Sequence, residues 1–173
     1  VYEPNKKGVK KWTGKTLKYS DDLGTVRRLT IDNQQSFHYN QKGKYYHYNK
    51  GQIVEFNYPN RAENITLSPT KNQLAFTIKN NLFLANANDS SIVVTTHEDP
   101  NIVAGQSIHR NEFGIKNGIF WSNDGNKIAF YEKDESDVHD YPLLNINDTP
   151  GQLKSVKYPM AGQKSEYGKV GVY

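Results

Sequence analysis

The stretch Gly8 to Thr16, GVKKWTGKT, carries the glycines, lysine and threonine of a phosphate-gripping loop, but one residue too many separates Gly8 from Gly14. Such a loop wraps phosphate in consecutive backbone amides that close onto a helix, whereas the residues after Thr16 alternate like a strand, so nucleotide binding is not expected. Asp134, Glu135, Asp137 and Asp140 invite a calcium reading; their spacing does not match an EF-hand loop, and they read as structural polar pairs or solvated acids. No G-x-S-x-G elbow occurs in the chain, so no serine is expected on the strained strand-to-helix turn that acyl transfer requires. His38, His47, His97, His109 and His139 stand beside no recognisable nucleophile and read as surface or packing residues. Cysteine is absent, which excludes disulfides, thiolate metal ligands and cysteine nucleophiles. The residues therefore imply no metal and no organic cofactor.

The formal charge of +4 comes largely from the first thirty residues, where Lys6, Lys7, Lys10, Lys11, Lys15, Lys18, Arg27 and Arg28 face Glu3, Asp21 and Asp22. These cations lack interleaved aromatics for base stacking and belong to no nucleic-acid module, so they read as a solvated lysine-rich face with no nucleic-acid partner. With 35% hydrophobic and 23% charged residues the chain is globular in composition, not disordered. Its apolar runs are only a few residues long, too short for a membrane span or for the apolar core of a signal peptide.

What must position any functional residue is legible in a repeat. SPTKNQLAF at Ser68 to Phe76 returns as SNDGNKIAF at Ser122 to Phe130, 54 residues later. In both copies an apolar or aromatic lead-in (Ile65 and Leu67; Ile119 and Trp121) meets a serine and a polar turn, after which large apolar residues alternate, as in Leu74 and Phe76 or Ile128 and Phe130. Pro, Asn, Asp and Gly supply the turn dihedrals, and period-two alternation buries one face of each strand. Phe76, Phe120, Trp121 and Phe130 read as core on that alternation. Further strands are expected over Asn81 to Ala85 and Ser91 to Thr96, then over Asp140 to Ile146 and Leu153 to Tyr158. Upstream, Lys44 to Asn49 and Gln52 to Tyr58 read as the end of an earlier unit, and Gly168 to Tyr173 as the start of a later one. Four short antiparallel strands recurring every about 40–55 residues is the pattern of β-propeller blades. The expected fold class is all-β, a partial β-propeller of four-stranded antiparallel blades, with a β-sandwich as the alternative that strand spacing alone also suits. The expected divisions are residues 1–60 as N-terminal strands and the end of a blade, 61–100 as a blade, 101–162 as an insert plus a blade, and 163–173 as the start of the next. A partial ring leaves strand edges and apolar faces open, so self-association is expected.

From Ile65 to Tyr173 the chain resembles the N-terminal domain of the dipeptidyl peptidase IV family of serine peptidases, its bacterial members especially. The resemblance is carried by ITLSPTKNQLAFTIKNNLFLAN, by HRNEFGIKNGIFWSNDGNKIAFYEKDESDVHDYPL and by KYPMAGQKSEYGKVGVY. The hairpin alone is common to many propellers; the ordered combination of a short acidic insert, the FWS hairpin, the DESDVHDYP strand and the YPMAG turn is specific. The resemblance implies a propeller followed by an α/β-hydrolase domain that supplies Ser, Asp and His, in an exported, periplasmic or cell-surface enzyme. Such an enzyme releases dipeptides with proline or alanine second, and some relatives release tripeptides. A chain of 173 residues is too short for both domains, so this one is expected to lack the catalytic half and to be inactive alone.

In that family a short insert from one blade presents acidic side chains to the free α-ammonium of the substrate. The corresponding residues here are His109, Arg110, Asn111, Glu112 and Phe113, just before the FWS hairpin. The family's two adjacent glutamates align on Arg110 and Asn111, which leaves Glu112 as the one acid of the insert. The resemblance therefore implies Glu112 as the ammonium anchor, Asn111 as a neutral hydrogen-bonding neighbour, and Arg110 as a salt-bridge partner of Glu112 or a contact to substrate carbonyls. Read without the resemblance, Glu112 is a surface glutamate in the first turn of a short helix. The implied partners are peptides with a free N-terminus, the hydrolase domain and a second copy of the protein. The rival reading is a stand-alone propeller-like scaffold that binds a protein partner and has no peptidase attached.

Overall fold

The computed structural model describes residues 9–13, 16–20, 27–33, 35–41, 44–87, 91–108 and 112–173, with the backbone alone for residues before Leu29 and for Glu112. Its first complete sheet holds β3 (Arg27–Asn33), β4 (Ser36–Gln41), β5 (Lys44–Asn49) and β6 (Gln52–Asn57), preceded by a hairpin of β1 (Val9–Thr13) and β2 (Thr16–Ser20). The second sheet holds β7 (Glu63–Leu67), β8 (Gln73–Ile78), β9 (Asn81–Asn86) and β10 (Ser91–Val93). In both, chain neighbours are sheet neighbours and every pair is antiparallel. Among the described residues no helix is long and apolar enough to cross a membrane.

The repeated motif has a local explanation. Ser68 N donates to Gln73 O at 2.9 Å while Gln73 N donates back to Ser68 Oγ at 3.2 Å. Ser122 and Lys127 make the same two bonds, both at 2.9 Å. The serine thus closes the turn with its backbone and its hydroxyl together, satisfying the turn's own N–H and C=O groups locally. Three residues on, both copies enter the left-handed region, Lys71 at φ 61° and Gly125 at φ 71°. A Cβ on Gly125 would lie 2.7 Å from Thr70 Oγ1, so this glycine also lets the two turns pack together.

The second sheet is buried on both faces. Leu74, Phe76 and Ala85 meet Tyr45 and Phe56 of the first sheet. The intervening Ala75, with Leu82 and Leu84, meets Ala104, Ile119, Ile128 and Phe130 beyond. Period-two alternation therefore directs successive side chains of one strand into two different cores, the stacking expected of propeller blades.

The third sheet departs from expectation. It is built on β13 (Ile128–Asp134), with β11 (Ile102–Ala104) and β12 (Ile119–Trp121) along one edge and β16 (Tyr167–Val172) along the other. The strand expected beside β13, Asp140 to Ile146, is instead β14 (Asp140–Asn145), which pairs with β15 (Gln152–Lys157) in a separate hairpin. Pro142 lies inside β14 and has no N–H to offer a central ladder, which suits a hairpin arm better than an interior strand. The segment expected to open a later blade takes the vacated edge. Gly171 makes this possible, because a Cβ there would lie 2.3 Å from the Phe130 ring. Phe120 is a second correction: Ile119 faces the core and Trp121 packs against it, so Phe120 points the opposite way and is 40% exposed.

Candidate functional site

Strands β11 and β12 are two halves of one lane. β11 pairs with Glu132 to Asp134 and β12 with Ile128 to Phe130, leaving a single position opposite Tyr131. That position is shared by two glycines: Gly105 N donates to Tyr131 O at 2.8 Å, and Tyr131 N donates to Gly118 O at 2.9 Å. Residues 106–117 thus leave the sheet and return to it at one point, an enlarged form of the extra residue in a β-bulge. Both glycines are sterically required. Gly105 has φ 73°, and a Cβ would lie 2.9 Å from Thr77 Cγ2 and 3.2 Å from Leu82 Cδ1. On Gly118 a Cβ would lie 2.2 Å from the carbonyl carbon of Gln106, where the two legs of the insert touch.

The root of the insert is braced by the β8–β9 turn. Asn80 Nδ2 donates to Asp99 O at 2.9 Å and Ile102 O at 3.0 Å, and Asn80 O accepts from Ala104 N at 2.9 Å. Asn81 Oδ1 accepts from His97 N at 2.7 Å and from Thr95 Oγ1 at 3.0 Å. His97 Nε2 then reaches Glu132 Oε2 of β13 at 3.0 Å, linking the second and third sheets. Two tethers belong to the insert itself: Gln106 Nε2 donates to Lys79 O at 2.9 Å, and Ser107 Oγ donates to Ile115 O at 3.2 Å.

Of the residues singled out by the sequence, Arg110 and Asn111, with His109, lie outside the described residues. Glu112 opens a 3-10 turn over Glu112–Gly114 in which Phe113 (φ 53°) and Gly114 (φ 75°) are left-handed. This turn is too short for a helix dipole of consequence, so the short helix foreseen at Glu112 is reduced to a reversal of the chain. Phe113, beside Glu112, is 89% exposed. The insert therefore carries an exposed aromatic, next in sequence to Glu112, on a loop with a fixed root.

One cluster was invisible in the sequence because its members come from different strands. Ser36 Oγ lies 3.1 Å from His47 Nε2 and donates to Asp32 Oδ2 at 3.1 Å. Asp32 also faces His38 Nδ1 at 3.2 Å and, from the next sheet, Lys71 Nζ at 3.1 Å. A serine, a histidine and an aspartate in contact suggest a hydrolytic triad, but the bonding is wrong for one. The one hydroxyl proton of Ser36 goes to Asp32, so the Ser36–His47 bond requires a proton on Nε2 of His47, which leaves that nitrogen no basic lone pair. Asp32 approaches the same Nε2, at 3.9 Å, and does not orient the ring from behind. The cluster is a polar tie between sheets. Burial and the Lys71 charge push the His47 pKa below its ordinary value, against the opposing pull of Asp32. Burial alone would raise that of Asp32, but hydrogen bonds and charge from His38 and Lys71 outweigh it and hold the carboxyl below its ordinary value.

The acidic run after β13 consists of paired groups. Asp134 Oδ1 accepts from Ser136 N at 2.9 Å, Glu135 pairs with Lys133 at 2.6 Å, Asp137 with Lys164 at 2.7 Å, and Asp140 with Lys157 at 3.5 Å. In the GVKKWTGKT stretch, Gly8, Gly14 and Lys15 lie outside the described residues, and the chain from Thr16 is strand β2.

Comparison with known proteins agrees with this architecture. The family described as "Dipeptidyl peptidase IV (DPP IV) N-terminal region" matches residues 24–173. A relative from Ajellomyces dermatitidis named "Probable dipeptidyl-aminopeptidase B" is 30% identical over 164 residues, covering 83% of this chain and 18% of the relative. A Bacteroides ovatus crystal structure described as a dipeptidyl aminopeptidase IV is similar with a TM-score of 0.67 and 39% identity, over 86% of this chain and 20% of that one. Porphyromonas gingivalis dipeptidyl peptidase 4 shares the fold, with a TM-score of 0.62 at 24% identity, over 86% of this chain and 22% of that one. The chain thus spans about a fifth of the length of the relatives it matches. With its stacked sheets, its serine-closed hairpins and 150 consecutive residues matched, the chain belongs to the dipeptidyl peptidase IV N-terminal region family.

Proposed function

We propose that this chain is the non-catalytic, substrate-gating part of an exported serine aminopeptidase that releases N-terminal dipeptides or tripeptides, and that its insert binds the free N-terminus of the substrate. The observation that carries the reading is the insert 106–117, rooted at one strand position by Gly105 and Gly118 and carrying Glu112, in a chain of this family. A carboxylate in a partly desolvated pocket pairs strongly with an ammonium. A peptide with a blocked N-terminus would leave that charge buried and unpaired, so the same contact selects for substrates with a free end. Asn111 and Arg110 are the neighbours that would share this role. The nucleophile, base and orienting acid come from the hydrolase portion of the parent protein in this reading, and no cofactor takes part.

Exposed Leu144, Ile146 and Leu153 on and beside the β14–β15 hairpin fit association with a second copy, which light scattering on the parent protein would detect as a mass of two chains. The functional test is hydrolysis of Gly-Pro and Ala-Ala-Pro chromogenic substrates by the parent, with free and N-acetylated forms, wild type beside Glu112→Gln. Removing one partner of a desolvated charge pair costs about 2–5 kcal/mol, so kcat/KM on free-amine substrates should fall about 30-fold or more in the variant. A parent inactive on every substrate would instead favour a protein-binding scaffold.

A further inference from the structure

We propose that Gln106 and Ser107 are positioning residues that fix the tilt of the insert and so the placement of Glu112; this rests on the reading of the insert as the N-terminus-binding element. The two backbone bonds to Tyr131 fix where the insert leaves the sheet, but two points define only an axis about which a loop can still rotate. Contacts off that axis remove the rotation: Ile108 packs against Gly168 of β16, and Gln106 adds a directed bond by donating to Lys79 O in the β8–β9 turn. That carbonyl is itself held, because Asn80 next to it clamps the backbone of Asp99 and Ile102 and accepts from Ala104. Ser107 acts on the second degree of freedom. Its hydroxyl joins the outgoing leg to Ile115 O on the returning leg, which cross-links the two legs close to the root. Neither side chain belongs to a hydrophobic core, and neither bond serves the pairing of a strand. What the two bonds share is the orientation of the loop that carries the acid.

The experiment uses the full-length parent and measures kcat and KM separately on a free-amine Gly-Pro chromogenic substrate and on its des-amino analogue. Because misplacing a binding group by about 1 Å can cost up to about 100-fold, Ser107→Ala and Gln106→Glu should each raise KM for the free-amine substrate by about 3- to 30-fold. Each should leave kcat within about two-fold, since neither residue touches the reacting atoms, and each should compress the preference for the free amine. Gln106→Glu keeps the size of the side chain but replaces the donor with a carboxylate facing a carbonyl. Ser107→Thr retains the hydroxyl and should restore the wild-type KM, which separates loss of the tether from general damage. If Glu112→Gln raises KM and abolishes amine preference while Ser107→Ala and Gln106→Glu leave both unchanged, or lower kcat alone, the positioning role is overturned and the reading of the insert survives. If Glu112→Gln itself changes neither quantity, both are overturned.

Discussion

Replacing Gly105 by alanine should be among the most damaging single-methyl additions to this fold, and the structure lets its two costs be separated. At φ 73° an alanine is left-handed, which costs about 1–2 kcal/mol relative to glycine. The added Cβ would also lie 2.9 Å from Thr77 Cγ2, 3.2 Å from Leu82 Cδ1 and 3.3 Å from Ile119 Cγ1. Thr77 and Leu82 are fully buried and Ile119 nearly so, which leaves no flexible tip to swing aside, and overpacking of this kind costs about 1–3 kcal/mol. The sum, about 2–5 kcal/mol, is a large part of the stability of an ordinary domain. Gly162 is the internal control: its φ is 80° and a Cβ would meet nothing within 4 Å, so Gly162→Ala should show the backbone cost alone. Denaturant midpoints of the three proteins, with slopes compared to confirm a common unfolding reaction, give the difference directly. A Gly105→Ala variant no less stable than Gly162→Ala would refute the steric reasoning and with it the pinched root of the insert.

Acid should weaken the tie between the first two sheets in two stages. His47 is held neutral by burial, so protons taken up by the unfolded chain alone make stability fall as pH drops below about 6.5; Asp32, whose pKa is depressed, adds a further loss as pH falls through and below about 3.8. Chemical denaturation at a series of pH values should show both limbs, and Asp32→Asn should flatten the lower one. Phe76→Ala should cost about 3–5 kcal/mol because the ring is buried between two sheets, whereas Phe120→Ala, a half-buried ring in edge contact with Tyr131, should cost about 1–2 kcal/mol, a contrast that thermal melts would resolve.

The strands of the second sheet were legible in the sequence because its first turn and the alternation of its strands carry strong local signals. SPTKNQLAF announces turn and alternation together, and β7, β8 and β9 fall where that pattern puts them. The third sheet was less legible for a topological reason. Asp140 to Asn145 has strand character, and Pro142 within it argues against an interior strand, but nothing local says that the glycine-bearing segment Tyr167–Val172 takes the place beside β13. Phe120 was misassigned because an unbroken apolar run, Ile119 to Trp121, hides which residue of the three faces away from the core. The insert was recognised from the resemblance of its residues, yet its mechanical root was missed. Gly105 and Gly118 stand thirteen positions apart, and only the pairing of β13 with both neighbours shows that they share one place in the lane. The contact of Ser36, His47 and Asp32 is likewise a product of strand register, which places His38 opposite His47 and Ser36 at the start of the same strand.

Recognition of a charged N-terminus by the insert, as proposed above, can be read from a two-by-two comparison. Full-length wild type and Glu112→Gln would each be assayed for kcat/KM on a Gly-Pro substrate and on its des-amino analogue. Removing the amine should cost the wild type about 30-fold or more and the variant almost nothing, because the charge that the amine would meet is already gone. An equal penalty in both proteins would place recognition of the N-terminus elsewhere and rule out Glu112 as its anchor.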